Sequence, residues 1–173
     1  MMNSETFKVA TPSDLEIAMT RVFNAPPRLV FDALTKPELV KQWLLGPPGW
    51  SMPVCEIDLR VGGAYRYVWR NAAKGKEMGS GGVFREIVLH ERIVCTELFD
   101  DAWYAGEALA TNVLTEQGGK TTLILTVLYQ LRETRDAVLK SGMESGVAVS
   151  YDRLEELLAS QGTSVKEKGA SPS

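Results

Sequence analysis

RETRDAVLKSGMESGVAVSYDRLEELLAS, residues 132–160, is the only long helical pattern in the chain. At 100° per residue, Leu139, Met143, Gly146, Ser150, Leu154 and Leu157 fall on one stripe, with Val147 and Leu158 at its edge. Unbroken, the segment predicts a rod of roughly 40 Å at about 1.5 Å per residue. The middle of its apolar stripe is small. Glycine inside a helix costs about 1 kcal/mol relative to alanine, and Gly142 adds a second such cost beside Gly146. Two explanations stand open: close approach of the helix to a sheet, or volume left beneath the helix for a ligand.

Upstream, the texture is strand-like. Segments 53–60, 64–70, 82–89, 92–99, 104–115 and 120–129 are separated by turn signals, including Gly62-Gly63, NAAKGKEMGSGG (71–82) and QGG (117–119). None of these breaks holds a crossover helix, so the six segments predict an antiparallel meander. DLEIAMTRVF (14–23) alternates Leu15, Ile17 and Met19 as a half-buried strand does. APPRLVFDALTKPELVKQWL (25–44) then sets Pro26 and Pro27 at a helix start and Thr35 as a candidate N-cap two residues before Pro37. The expected architecture is α+β: an antiparallel sheet wrapped around one long C-terminal helix, with two short helices after the first strand. Residues 1–13 read as a flexible N-terminal tail and 161–173 as a disordered C-terminal one, leaving a single domain over 14–160.

Composition bounds the function. Charged residues make up 24% of the 173 and the net charge is -3 with no basic cluster, which excludes an electrostatic grip on nucleic acid or anionic lipid. Apolar runs fall short of the ~20 residues that span a bilayer, and the N-terminus lacks the pattern of a secretion signal, so a cytoplasmic location is expected. Cys55 and Cys95, in separate strand-like segments, read as buried thiols.

The inventory of reactive groups is thin, which favours binding over catalysis. His90, the only histidine, lies in the LHER turn and reads as a solvated turn residue. MGSGG (78–82) lacks the first glycine of a nucleophile elbow, and Gly75-Lys76 lacks the Ser or Thr of a phosphate loop. One histidine and two distant cysteines offer no zinc spacing, so neither metal nor cofactor is expected.

The hairpin IDLRVGGAYRYVWR (57–70) carries the remaining chemistry. With Gly62-Gly63 as the centre of a two-residue turn, Arg60 opposes Tyr65, Asp58 opposes Tyr67 and Glu56 opposes Trp69, so acids, base and aromatics share a face. Three large aromatics on one strand are costly to leave in water, so that face is expected to point inward. Asp58 and Arg60 are then the candidates for a catalytic role.

The order of elements resembles the helix-grip fold of the START / Bet v 1-like (SRPBCC) superfamily. NAPPRLVFDALTKPELVKQWLLGPPGWSM followed by CEIDLRVGGAYRYVWR is similar to the branch of activator of heat-shock protein 90 ATPase homologue-like domains. Its pattern falls on Phe31, Leu34, Thr35, Pro37, Glu38, Trp43, Gly46, Pro47, Gly49, Asp58, Arg60, Gly62 and Gly63, and the likeness spans about 14–160. The closing helix of that branch usually carries Gly-Trp where this chain has Gly146-Val147, a change that enlarges any space under the helix.

The resemblance implies a stand-alone domain holding a hydrophobic or aromatic small molecule between sheet and helix. The expected lining is Trp43, Trp50, Tyr65, Tyr67, Trp69, Met143, Gly146, Val147 and Ser150. It implies two alternatives: a protein-interaction module whose partner is a chaperone or a second copy of the chain, and an enzyme of the cyclase or hydrolase kind.

Overall fold

The computed structural model describes residues 6–101, 104 and 106–170. Its strands are β1 (Lys8–Ala10), β2 (Glu16–Phe23), β3 (Ser51–Ile57), β4 (Ala64–Asn71), β5 (Lys76–Val88), β6 (Arg92–Phe99), β7 (Ala108–Gln117) and β8 (Lys120–Leu128). The helices are α1 (Pro27–Thr35), α2 (Pro37–Trp43), α3 (Arg132–Lys140) and α4 (Met143–Ala170). The strands form one antiparallel sheet in the order β1-β2-β8-β7-β6-β5-β4-β3. The meander read from 53–129 is therefore present as β3 to β8, and β2 closes beside β8. Two edges remain. β1 is only three residues long, and β3 carries Pro53 with a bulge between Ser51 and Val54, two devices that discourage pairing with another chain.

β1 lies inside the segment expected to be a tail, and α4 continues past the expected boundary at residue 160. β1 forms because Lys8, Val9 and Ala10 find β2 partners in Thr20, Met19 and Ala18. A three-residue strand carries too little periodicity to register in the sequence.

α1 and α2 divide where proline chemistry divides them. Pro37 pushes the residue before it out of the helical region, and Lys36 is extended at φ -95°, ψ 120°. Thr35 is not the expected N-cap. It ends α1 with its hydroxyl donating to the Phe31 carbonyl at 2.8 Å, and Lys36 precedes α2 without a side-chain cap.

The long C-terminal rod is also corrected. It breaks at Ser141-Gly142, where Gly142 takes φ +84°, a conformation cheap only for glycine. The stripe read from the sequence nonetheless holds within α4, where Gly146, Ser150 and Leu154 face inward with Val147 and Leu158, and Tyr151 is added to it. The inward positions are Gly146, Val147, Ser150, Tyr151, Leu154 and Leu158, spaced by three and four. Tyr151 is nearly fully buried, with its ring edge-on to Phe7 and Phe23.

The core is split. One cluster joins α1, α2 and the later turns of α4 to the sheet through Phe23, Val30, Phe31, Trp43, Tyr151 and Leu154. The other, under α3, holds Ile17, Met19, Val127, Tyr129 and Val138. Val147 packs against both, and a cavity opens between them.

Candidate functional site

The cavity measures about 630 Å³, within the range that encloses a small organic molecule. Four parts of the chain build it. The aromatic rings of β4 form one wall: Phe84 on β5, Tyr65, Tyr67, Trp69 and Phe99 on β6 follow one another with centroids 5.5, 5.1, 5.8 and 6.4 Å apart. The sheet floor brings Cys95, Glu97, Ala110, Asn112, Leu125 and Val127, α4 brings Met143 to Tyr151, and the loop after α2 brings Leu44, Leu45, Gly46, Pro47 and Trp50.

That loop is held by backbone bonds at both sides. The Gly46 amide donates to Ser150 Oγ at 2.9 Å, Arg153 donates to the Gly46 carbonyl at 2.6 Å, and Trp69 Nε1 donates to the Leu44 carbonyl at 2.7 Å. Trp43 Nε1 donates to the Ala33 carbonyl and Tyr65 to the Thr96 carbonyl, at 2.8 and 2.6 Å. With these polar tips satisfied by backbone, ring faces are what Trp43, Tyr65 and Trp69 present to the cavity.

All nine residues expected as lining stand on the cavity wall: Trp43, Trp50, Tyr65, Tyr67, Trp69, Met143, Gly146, Val147 and Ser150. Asp58 and Arg60 do not. The observed register pairs Ile57 with Tyr65, Glu56 with Arg66 and Cys55 with Tyr67, so the connection spans residues 58–63 instead of two glycines. Arg60 donates to Asp58 at 2.8 Å within that loop, and both side chains are exposed. The register differs from the expected one by three residues, an odd number, which exchanges the faces of β3 and leaves the aromatics without those polar neighbours.

The two explanations of Gly146 now separate. A Cβ built there meets only Pro47 Cδ, at 3.9 Å, an ordinary contact and not a close approach to the sheet. Gly146→Ala is therefore expected to raise the unfolding free energy by about 1 kcal/mol through helix propensity, read as an upward shift of the urea midpoint; a drop would show that the position does serve packing.

One polar residue on the wall escaped the sequence reading. β6 turns Ile93, Cys95, Glu97 and Phe99 to the cavity, so a carboxylate sits on the apolar side of RIVCTELF; that alternation was the available signal. The Glu97 carboxylate, on the cavity wall, makes no side-chain hydrogen bond or ion pair among the described residues, and burial pushes it from 4.5 up to about 7. Its accessible surface faces the cavity, which reconciles partial exposure with strong desolvation. Burial also pushes the Cys95 and Cys55 thiols up to about 11, so both stay protonated at neutral pH and are poor nucleophiles. His90 turns the chain between β5 and β6 at φ 66° with its ring edge-on to Phe31. No group of three His, Cys, Asp or Glu side chains among the described residues could hold a metal ion, and no described helix is long and apolar enough to cross a membrane.

Among solved structures, a protein from Rhodobacter sphaeroides is 32% identical over 90% of this chain and 99% of its own, with a TM-score of 0.84. One from Chromobacterium violaceum is 31% identical over 83% and 96%, with a TM-score of 0.71. An HSP90 activator from Plasmodium falciparum shares the fold at 23% identity over 66% and 72%, with a TM-score of 0.51. No curated protein matches. The family described as Activator of Hsp90 ATPase homolog 1-like protein matches residues 24–159. With the helix-grip architecture, the split core and that match over most of its length, the chain belongs to this family within the Bet v 1-like superfamily.

Proposed function

We propose that the domain binds a hydrophobic or aromatic small molecule in the cavity between the sheet and α4. The observation that carries this reading is the cavity itself, about 630 Å³ lined by aromatic faces and bordered by a helix whose Gly146, near its start, no packing contact requires. A tight core would close such a space, since each unfilled void costs dispersion contacts along its lining. The roof loop, tied to Ser150, Arg153 and Trp69, gives the site a fixed shape before any ligand arrives.

Mass spectrometry of the natively purified protein should recover a bound apolar compound, and a hydrophobic dye should quench the tryptophans that line the cavity. Val147→Trp tests the location. The larger ring enters the space between the two core clusters and is expected to weaken dye binding about tenfold or more while the protein remains folded; unchanged dye affinity would put the dye elsewhere.

The family's description supplies a second reading, a protein that stimulates a chaperone ATPase. Addition to the host's Hsp90 with ATP turnover as the readout separates the two, because stimulation that survives Val147→Trp does not depend on the cavity.

A further inference from the structure

The cavity wall is chemically one-sided. Among the described residues it contains two carboxylates, Glu97 and Asp101, and no lysine, arginine or histidine. A fatty acid or other anionic amphiphile would meet repulsion there with no cation to offset it. Around Glu97 the floor is low: Ala108 is its partner on β7, and Gly81 pairs with Leu98 on β5, which puts Gly82 next along the ladder beside Glu97. The residues directly opposite Glu97 on both neighbouring strands are therefore small, and Phe84, the bulky residue on its face of β5, sits diagonally beside Cys95. Tyr65 and Tyr67 lie close enough for its charge to act on both phenols, and their rings run on to Trp69 in one strip.

We infer that the ligand is an amphipathic amine, its protonated nitrogen hydrogen-bonded to the Glu97 carboxylate and its apolar body laid against Tyr65, Tyr67 and Trp69. This rests on the cavity-binding reading above and narrows it to a chemical class. An ammonium supplies the partner that Glu97 lacks, through a charge-assisted bond roughly twice as strong as a neutral one. The aromatic faces beside it attract the same cation. A neutral alcohol offers the bond without the charge, and an anion offers neither. Burial holds the free carboxylate partly protonated near neutral pH; a cation in the cavity would return it to the ionised form.

Three probes of one shape test the class: naphthylmethylamine, ethylnaphthalene and naphthylacetate, titrated at about pH 8 with tryptophan fluorescence. The expected result is that the amine binds about tenfold or more tighter than the hydrocarbon, as a charged hydrogen bond implies, and that naphthylacetate binds weakest. Glu97→Gln should bring amine and hydrocarbon to equal affinity, whereas Asp101→Asn should keep the preference. If amine and hydrocarbon bind the wild type equally, the amine inference falls and cavity binding stands. If none of the three binds, both fall. A preference that persists in Glu97→Gln, or that disappears only in Asp101→Asn, overturns the assignment to Glu97.

Discussion

Asp152→Ala is expected to lower the unfolding free energy by about 3 kcal/mol, at the low end of what removal of one partner from a buried ion pair costs. Arg21 sits on the inner face of β2 between Met19 and Phe23 and is fully buried, while Asp152 of α4 retains 35% of its side-chain surface. Arg21 Nη1 donates to Asp152 Oδ1 at 2.7 Å, and the guanidinium lies 5.5 Å from the Phe23 ring centre. Nε and Nη2 find no hydrogen-bond partner among the described residues. Without Asp152 the buried guanidinium keeps its ring contact but loses this counter-ion. Arg21→Met/Asp152→Ala removes the stranded charge and should recover much of the loss. Urea unfolding of the two variants measures this. A single variant within about 0.5 kcal/mol of wild type would mean that water reaches Arg21 freely and that the pair does not pin α4 to the sheet. The pin matters for the cavity because Asp152 follows directly on Ser150 and Tyr151, two residues of its roof.

How far the sequence discloses this site depends on which physical signal each part relies on. The meander strands are separated by turn signals and period-two alternation survives in most of them, so β3 to β8 could be read in number and order; the exception is NAAKGKEMGSGG (71–82), read as a break because of its glycines, which holds the first residues of β5 from Lys76. α1 and α2 are separated by Pro37, whose effect on the preceding residue is local. Register is different, because it is decided by contacts distant in sequence. Gly62-Gly63 resembles a two-residue turn, yet the Gly62 amide donates to the Phe84 carbonyl and the Phe84 amide to the Gly63 carbonyl, at 2.8 and 2.9 Å. Those bonds dock the connection onto β5, and a side chain at Gly63 would overlap the Asp58 carbonyl. Glycine is there for that close approach, and the acid and base beside it are carried away from the cavity. The aromatics nonetheless face inward, since burial of Tyr65, Tyr67 and Trp69 does not depend on which residues of β3 oppose them. Tyr151 lies about 100° round the helix from Ser150, off the stripe read from the sequence, and its burial comes from tertiary contacts with Phe7 and Phe23 that periodicity does not carry.

Glu97→Gln should make the protein more stable at alkaline pH and leave it unchanged in acid. The sign follows from the shift: a carboxyl whose value in the folded protein is about 7, against an ordinary 4.5, is harder to ionise when folded. Its penalty is absent below about pH 4.5, grows as the pH rises through about 7, and is level above that. The shift corresponds to at most about 3 kcal/mol, reduced by whatever water the cavity holds. The groups that share its field are Cys95 on the same strand, Tyr65 and Tyr67 on β4, and Tyr104 and Tyr129. Each is pushed upward by burial, so within this window the change of charge belongs to Glu97. At about pH 8 the variant's melting temperature should exceed the wild type's by roughly 5–10 °C, since 1 kcal/mol moves a domain of this size by about 2–4 °C. At about pH 4.5 the two should coincide. Equal melting temperatures at both values would mean that Glu97 is solvated in the folded protein, and the carboxylate would then hold no unspent interaction for a ligand. If the difference is present, a saturating amine should erase it by stabilising the wild type at pH 8 more than the variant, because only the wild type has a buried charge left to neutralise.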